Sequence, residues 1–436
     1  MLKSILLILL SGAQLARLAP LEDSNNHLEI CEGNVFQKSG YLTLPNNIEY
    51  FYWFFESQND PENAPLTLWL NGGPGCSSMI GLFQELGPCK VTEDGQSTEI
   101  NPYSWNKYSN LLFLDQPGGV GFSKGEDQIN STFQGAEPTY NFIQAFYKEF
   151  PKYSQQPFHM YGESYGGHYI PVYADYIVNQ NKRVQQGKTN NTFINLESIG
   201  IGNGWTDPLI QLEHYSTMAC NSSYGRVVSE STCQRMKDNY PSCAEKVQKC
   251  YDTHNDQDCF IADNFCNIHI TSLYGESERS YYDVRTRDDM PENYVRFLNS
   301  EAVKLKIGHK GDFEACSDNV FKRFSRTGDG VRTTAPHVAN LLNENIRVLL
   351  YSGDADYICS WYGNYAWAEK LEFDGKNEYR QHSMQPWTVN GKKVGEFQSG
   401  GGLTFVRVYE AGHEVPYYQP EASLEMFVKQ INNQSF

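Results

Sequence analysis

Residues 158–176 read FHMYGESYGGHYIPVYADY: a short apolar run breaks at Gly162-Glu163-Ser164-Tyr165-Gly166, and an amphipathic stretch follows. Tyr169, Val172, Tyr173, Tyr176 and Ile177 then recur at helical spacing. Strand, sharp turn and helix in immediate succession form the context of a nucleophile elbow. The two glycines permit a tight turn around a strained central residue, which lifts Ser164 Oγ out of the sheet. The helix beginning just after it aims free backbone N–H groups at any anion formed there. A serine between glycines is often only a turn, so the reading needs support elsewhere in the chain.

Other strand ends supply it. Apolar runs at 66–70, 111–115, 198–201, 347–351 and 404–409 stop at NGGPGC (71–76), QPGG (116–119), GNG (202–204), SGDAD (352–356) and EAGHE (410–414). Such strands alternate with helical stretches, as around 140–150, which indicates an α/β fold: a mainly parallel sheet with helices on both faces. Residues 41–44 and 49–56, joined by Pro45-Asn46-Asn47, read as an antiparallel ribbon at a sheet edge. A hairpin is expected around Val389-Asn390-Gly391-Lys392. Ligands of open α/β sheets bind beyond the carboxyl ends of the strands. Ser164, Asp356 and His413 stand at three of those ends in the order serine, acid, histidine, which is the order of an α/β-hydrolase. A serine hydroxyl is unreactive until an imidazole takes its proton, and the imidazole needs a carboxylate to fix its tautomer. Asp354, two residues before Asp356, is the alternative acid.

The sheet rhythm lapses between about 205 and 329, a polar stretch in which six of the eleven cysteines crowd between 220 and 266. We read it as a Cys-rich helical insertion, a cap over the sheet's carboxyl edge, stapled because its own core is thin. Residues 1–20 combine an early lysine, a short apolar stretch and small residues, the pattern of a secretory signal peptide. Little separates that leader from Cys31, so no long propeptide is expected. No later stretch approaches a membrane-spanning length. An oxidising compartment favours disulfides over zinc, and the cysteine spacing is not that of a zinc site, so no metal or cofactor is expected. Sequons at Asn130, Asn190, Asn221 and Asn433 point to N-glycans. A net charge of −17 argues against nucleic acid, whose phosphates need a basic surface.

Four motifs, WLNGGPGCSS (69–78), GESYGGHY (162–169), GDADYIC (353–359) and AGHEVP (411–416), together resemble the serine carboxypeptidases, and among them the fungal vacuolar carboxypeptidase Y type. The resemblance runs from about Gly40 to the C-terminus. It implies Ser164 as nucleophile, His413 as general base and Asp356, rather than Asp354, as its orienter. It implies Asn71, Gly72, Glu85 and Glu163 as the groups that grip a substrate's free carboxylate. Carboxylic acids can do so only if at least one holds a proton, so activity is expected in mild acid. The oxyanion hole would be the N–H groups of Gly73 and Tyr165. Cys359 stands at the family's free-thiol position and is expected to line the leaving-residue pocket. Four bridges follow from the resemblance, Cys76–Cys316, Cys220–Cys233, Cys243–Cys266 and Cys250–Cys259, with Cys31–Cys89 as the remaining pair.

Two positions depart from the carboxypeptidase Y pattern. Glu414 follows the histidine where that pattern has methionine, and Gln84 precedes Glu85 where it has an aromatic. A carboxylate in the pocket for the departing residue would broaden acceptance toward Lys and Arg. The expected partners are therefore peptide and protein C-termini, met in a vacuole- or lysosome-like lumen ahead of the extracellular space, without a membrane anchor. Acyltransferase or esterase chemistry on the same triad is the alternative, and an inactive binding protein a third.

Overall fold

The structure, a computed structural model, describes residues 30–31, 35–125, 128–309 and 311–436. The expected signal peptide lies outside the described residues. The strands are β1 (Gln37–Thr43), β2 (Glu49–Phe55), β3 (Leu66–Leu70), β4 (Cys89–Val91), β5 (Thr98–Ile100), β6 (Asn110–Leu114), β7 (Phe158–Glu163), β8 (Leu196–Gly202), β9 (Arg347–Gly353), β10 (Gln385–Val389), β11 (Lys392–Gly400) and β12 (Leu403–Val408). Ten of them make one sheet in the order β1-β2-β6-β3-β7-β8-β9-β12-β11-β10, and β4 and β5 form a separate ribbon. The six central strands run parallel, from β6 to β12. The flanks are antiparallel: β1 and β2 on one side, β10 and β11 on the other. This is an α/β-hydrolase fold.

The central strands are buried on both faces, which is why they read as continuous apolar runs instead of alternating ones. One apolar cluster packs Leu68, Leu112 and Met160 against α1 (Thr132–Glu149) and α2 (Gly166–Gln185) through Phe146 and Ile170. On the opposite face Trp69, Phe113 and Tyr161 meet Trp105 and Phe427, with the Trp105 and Phe427 rings stacked 4.2 Å apart. Each such side chain, fully buried, contributes about 1.5–3 kcal/mol.

Between β8 and β9 the described residues hold helices and no strand: α3 (Pro208–Glu213), α4 (Tyr215–Asn221), α5 (Glu230–Thr253), α6 (Asp256–His269), α7 (Asn293–Leu298), α8 (Glu301–Ile307), α9 (Asp318–Arg326) and α10 (Ala335–Asn343). Here the half-cystines themselves are core. Cys220, Cys233, Cys243, Cys250, Cys259 and Cys266 share an apolar cluster with Ala355 and Tyr357, residues that follow β9. The bridges Cys220–Cys233, Cys243–Cys266 and Cys250–Cys259 tie α4, α5 and α6 together, and Cys76–Cys316 ties the loop after β3 to the residues before α9. Cys31 pairs with Cys89, and Cys359 is free and buried. Of the sequon asparagines, Asn190, Asn221 and Asn433 are exposed, while Asn130 is half-buried with its carbonyl accepting from Thr327 Oγ1.

Candidate active site

The β7–α2 junction is held by three backbone hydrogen bonds. Ser164 N–H donates to Gly202 O at 3.1 Å, and Ser164 O accepts from Gly167 N and Trp205 N at 2.9 and 2.8 Å. Ser164 has φ +62°, a left-handed conformation unfavourable for a residue with a side chain, and this clamp maintains it. His413 follows β12 and Asp356 follows β9. His413 Nδ1 donates to Asp356 Oδ2 at 2.7 Å, with both residues buried. Ser164 and His413 line the same cavity. Asp354 is engaged elsewhere: it accepts from Tyr224 OH, Glu410 N and Arg407 Nη2.

The loop after β3 folds back beneath the elbow. An added Cβ on Gly72 would lie 2.3 Å from Tyr165 N, so only glycine fits there. Neither Gly73 N–H nor Tyr165 N–H has a protein acceptor among the described residues. Both residues line a cavity together with Ser164. Two free donors beside a hydroxyl can stabilise a developing oxyanion, each by about 3–4 kcal/mol.

Three carboxyl groups gather on the other side of Ser164. Glu85, Glu163 and Glu414 each place an oxygen within 4.8 Å of the others, and their exposures are 1%, 3% and 9%. Asn71 holds the first two: its Nδ2 donates to Glu85 Oε1 and Glu163 Oε1. Asn71 is itself fixed, because its Oδ1 accepts from Trp69 Nε1 at 2.7 Å and from Gly81 N at 2.9 Å. Gln84 Nε2 donates to Glu414 Oε2 at 2.8 Å. Burial holds the Glu85 carboxyl above the usual range. Burial and the neighbouring Glu85 carboxyl hold Glu163 and Glu414 well above it. These groups therefore keep protons in mild acid and can donate hydrogen bonds.

The structure divides the expected pockets. Asn71, Gly72, Gln84, Glu163, Ser164, His413 and Glu414 line a cavity of about 310 Å³. Cys359, expected beside Gln84 and Glu414, instead lines a second cavity of about 420 Å³ with Gly73, Ser164, Tyr165 and Trp205. Its thiol is pushed well above the ordinary cysteine range by burial, with Asp356 and Glu163 adding to the shift. Cys359, Asp356 and His413 also bring ligand-type atoms within 4.8 Å of one another. Two residues escaped sequence reasoning. Asn203, in the GNG break after β8, donates through Nδ2 to Asp356 Oδ2 at 2.8 Å. Asp329 accepts from Tyr165 OH and from the backbone and hydroxyl of Thr132. The punctuation after β8 was a signal for the first; nothing local marks the second.

Known proteins resemble this chain along most of its length. The family model described as serine carboxypeptidase matches residues 31–433. Carboxypeptidase S1 of Penicillium janthinellum is 39% identical over 409 residues, covering 92% of this chain and 96% of that protein. The vacuolar serine-type carboxypeptidase ATG42 of Saccharomyces cerevisiae is 41% identical over 406 residues, 90% of this chain and 78% of the relative. The crystal structure of KEX1(delta)p, a prohormone-processing carboxypeptidase from Saccharomyces cerevisiae, covers 92% of each chain at a TM-score of 0.79 and 24% identity, a likeness of fold. The chain belongs to the serine carboxypeptidase family, hydrolases that act on peptide bonds.

Proposed function

We propose that this serine carboxypeptidase releases single residues from peptide and protein C-termini in mild acid, through an acyl-enzyme on Ser164. His413 takes the Ser164 proton as Oγ attacks the last peptide carbonyl, and Asp356 steadies the imidazolium that forms. The N–H groups of Gly73 and Tyr165 receive the oxyanion. His413 then returns the proton to the departing nitrogen, and water hydrolyses the ester by the same route in reverse. Glu85 and Glu163, positioned by Asn71, donate to the terminal carboxylate, with Gly72 allowing close approach. Gln84 and Glu414 border the departing side chain.

The observation that carries the reading is the buried carboxyl cluster, two of whose members, Glu163 and Glu414, line the nucleophile's cavity. A site that grips chain ends needs such donors; esterase or acyl-transfer chemistry does not, and that alternative is not favoured. The relatives' names place one of them in the vacuole. Among the described residues no helix is long and apolar enough to cross a membrane. We infer a vacuole-like lumen as the working compartment, where acidity would keep the cluster protonated. The test compares a blocked dipeptide with its C-terminal amide at acid pH. Rapid cleavage of the free acid, slow cleavage of the amide and loss of both in Ser164→Ala are expected. Equal rates on acid and amide would overturn the reading.

A further inference from the structure

We propose that Asp263 makes the larger cavity selective for a cationic penultimate residue, a lysine or arginine side chain just before the bond that is cut. This rests on the exopeptidase reading. If the carboxyl cluster holds the terminal residue, the other cavity lined by Ser164, which adds Tyr165 and shares Gly73 with the first, must receive the acyl half of the substrate.

One face of α6 forms part of that cavity. Phe260, Asp263, Asn264 and Asn267 fall at spacings of three and four and all line it. The remaining walls are largely aromatic, with Trp205, Tyr215 and Phe324 among them. Such walls suit the methylene stem of a long cationic side chain, whose charged end then seeks a carboxylate. Asp263 is that carboxylate, and no cation among the described residues pairs with it.

The charge that acts on the Asp263 carboxyl is another carboxylate, Asp329. Asp329, behind the wall formed by Gly330 and Tyr165, uses Oδ2 for Thr132 and Tyr165, and its buried Oδ1 has no partner among the described residues. The further titratable groups facing this pair are the Tyr165 hydroxyl, which donates to Asp329, and the buried Tyr169 and His168, the histidine ring kept neutral by its burial. From α9 come Phe321, Phe324 and Ser325, none of them charged. Arg332 is committed to Asp256. The cavity thus offers one carboxylate on its wall and a second behind it, with no Lys or Arg among its described lining residues, a field that a substrate cation satisfies. Burial, reinforced by Asp329, raises the Asp263 carboxyl to about 6. Its charge is therefore present toward neutral pH and withdrawn in acid.

The test measures kcat/KM for N-blocked dipeptides ending in leucine, with lysine, arginine or norleucine before it, at pH 5 and 7. Holding the terminal residue constant removes the carboxyl cluster from the ratio. In the wild-type protein the lysine-to-norleucine ratio should rise about fivefold or more between the two pH values, and at pH 7 Asp263→Asn should lower it roughly five- to tenfold, the scale of one partly desolvated ion pair. Asp263→Glu should keep the preference. A wild-type ratio that is flat with pH, or an unchanged ratio in Asp263→Asn, overturns the assignment while leaving the peptidase reading intact. No cleavage of any of these dipeptides by the wild-type protein would defeat both.

Discussion

Glu85 and Glu163 share one donor: Asn71 Nδ2 lies 3.2 Å from Glu85 Oε1 and 3.4 Å from Glu163 Oε1. Their second oxygens, both buried, find no N–H or hydroxyl donor among the described residues, which leaves the two carboxyls to share a proton with each other. Two carboxylates this close cannot both ionise without a large penalty, so the pair retains a proton above the pH at which a free glutamate would lose it. His413 and Lys90 favour ionisation of Glu85, while Glu85, Glu414 and Asp356 oppose that of Glu163. A substrate carboxylate, with a solution pKa near 3.5, is already ionised in mild acid and needs the proton the pair holds. The expected outcome is that KM for a free-acid peptide rises as pH climbs out of the acid range, while kcat changes far less. Glu163→Gln, whose amide donates at any pH, should flatten that rise; steady-state kinetics from pH 4.5 to 8 would read it.

The same groups make stability depend on pH. All three carboxyls have folded-state values above their unfolded ones, so the folded state binds more protons. Their contribution is fully present below about 4.5 and declines as pH rises through the folded values. Tm should therefore fall on the alkaline side of pH 5, and Glu163→Gln should recover about 2 °C or more of the loss at pH 7.5. A mutant whose Tm falls in parallel with the wild type over that range would contradict this.

Much of this arrangement was legible in the sequence because each part of it sits where a strand stops. The motifs after β3, β7, β9 and β12 carry Asn71, Ser164, Asp356 and His413, and a parallel sheet brings all such ends to one edge. What stayed hidden depends on distances between segments. Strand-end position alone leaves Asp354 and Asp356 open, and only the family resemblance chooses Asp356; in the structure Asp356 reaches the histidine while Asp354 is tied to Arg407 and Tyr224. The family resemblance puts Cys359 in the leaving-residue pocket with Glu414, yet its side chain lines the other cavity that Ser164 borders. The ribbon β4–β5 escaped because strands of three residues carry no measurable alternation.

Asn203 positions the acid of the triad. Asp356 Oδ2 accepts from both His413 Nδ1 and Asn203 Nδ2, and Asp356 Oδ1 accepts from Ile358 N. Asn203 Oδ1 in turn accepts from Gly353 N, which ties β8 to β9 directly below the site. Asn203→Ala should lower kcat roughly ten- to hundredfold with little change in KM, well short of the ~10⁴ lost when the acid no longer fixes the histidine tautomer. An altered pH midpoint of kcat would separate this from simple unfolding, since Asp356 would no longer be oriented toward the imidazole.

Glu414 should act as an anion only part of the time. Buried and bonded to Gln84, it is neutral in mild acid and gains charge as pH rises. Preference for a C-terminal Lys or Arg over Met should therefore be weak at pH 5 and grow toward neutrality, even as overall activity falls. Glu414→Met should abolish that growth, lowering the Lys-to-Met ratio roughly fivefold at pH 7. Product analysis on a peptide mixture at two pH values would suffice, and a ratio independent of pH would remove Glu414 from the specificity argument.

Gly72 is where one methyl group should end catalysis without touching a titratable residue. Its missing Cβ would stand 2.3 Å from Tyr165 N, 2.7 Å from Glu163 O and 2.8 Å from Ser164 Cβ, far inside van der Waals contact. Two of these neighbours are backbone atoms of the strained elbow, which has no flexible end to move aside. Relief must come from displacing the 71–76 loop, and that loop carries both the Asn71 amide and the Gly73 N–H. Gly72→Ala should thus weaken carboxylate binding and oxyanion stabilisation together. Loss of one oxyanion donor alone costs about 10²–10³ in kcat, so a fall of at least about 10³ in kcat/KM is expected. The histidine–acid pair, on other strands, should survive, and slow labelling of Ser164 by a small organophosphate should persist. A protein that neither labels nor melts cooperatively would show that the methyl group had broken the fold, and near-normal kinetics would show that the loop is not seated against the elbow.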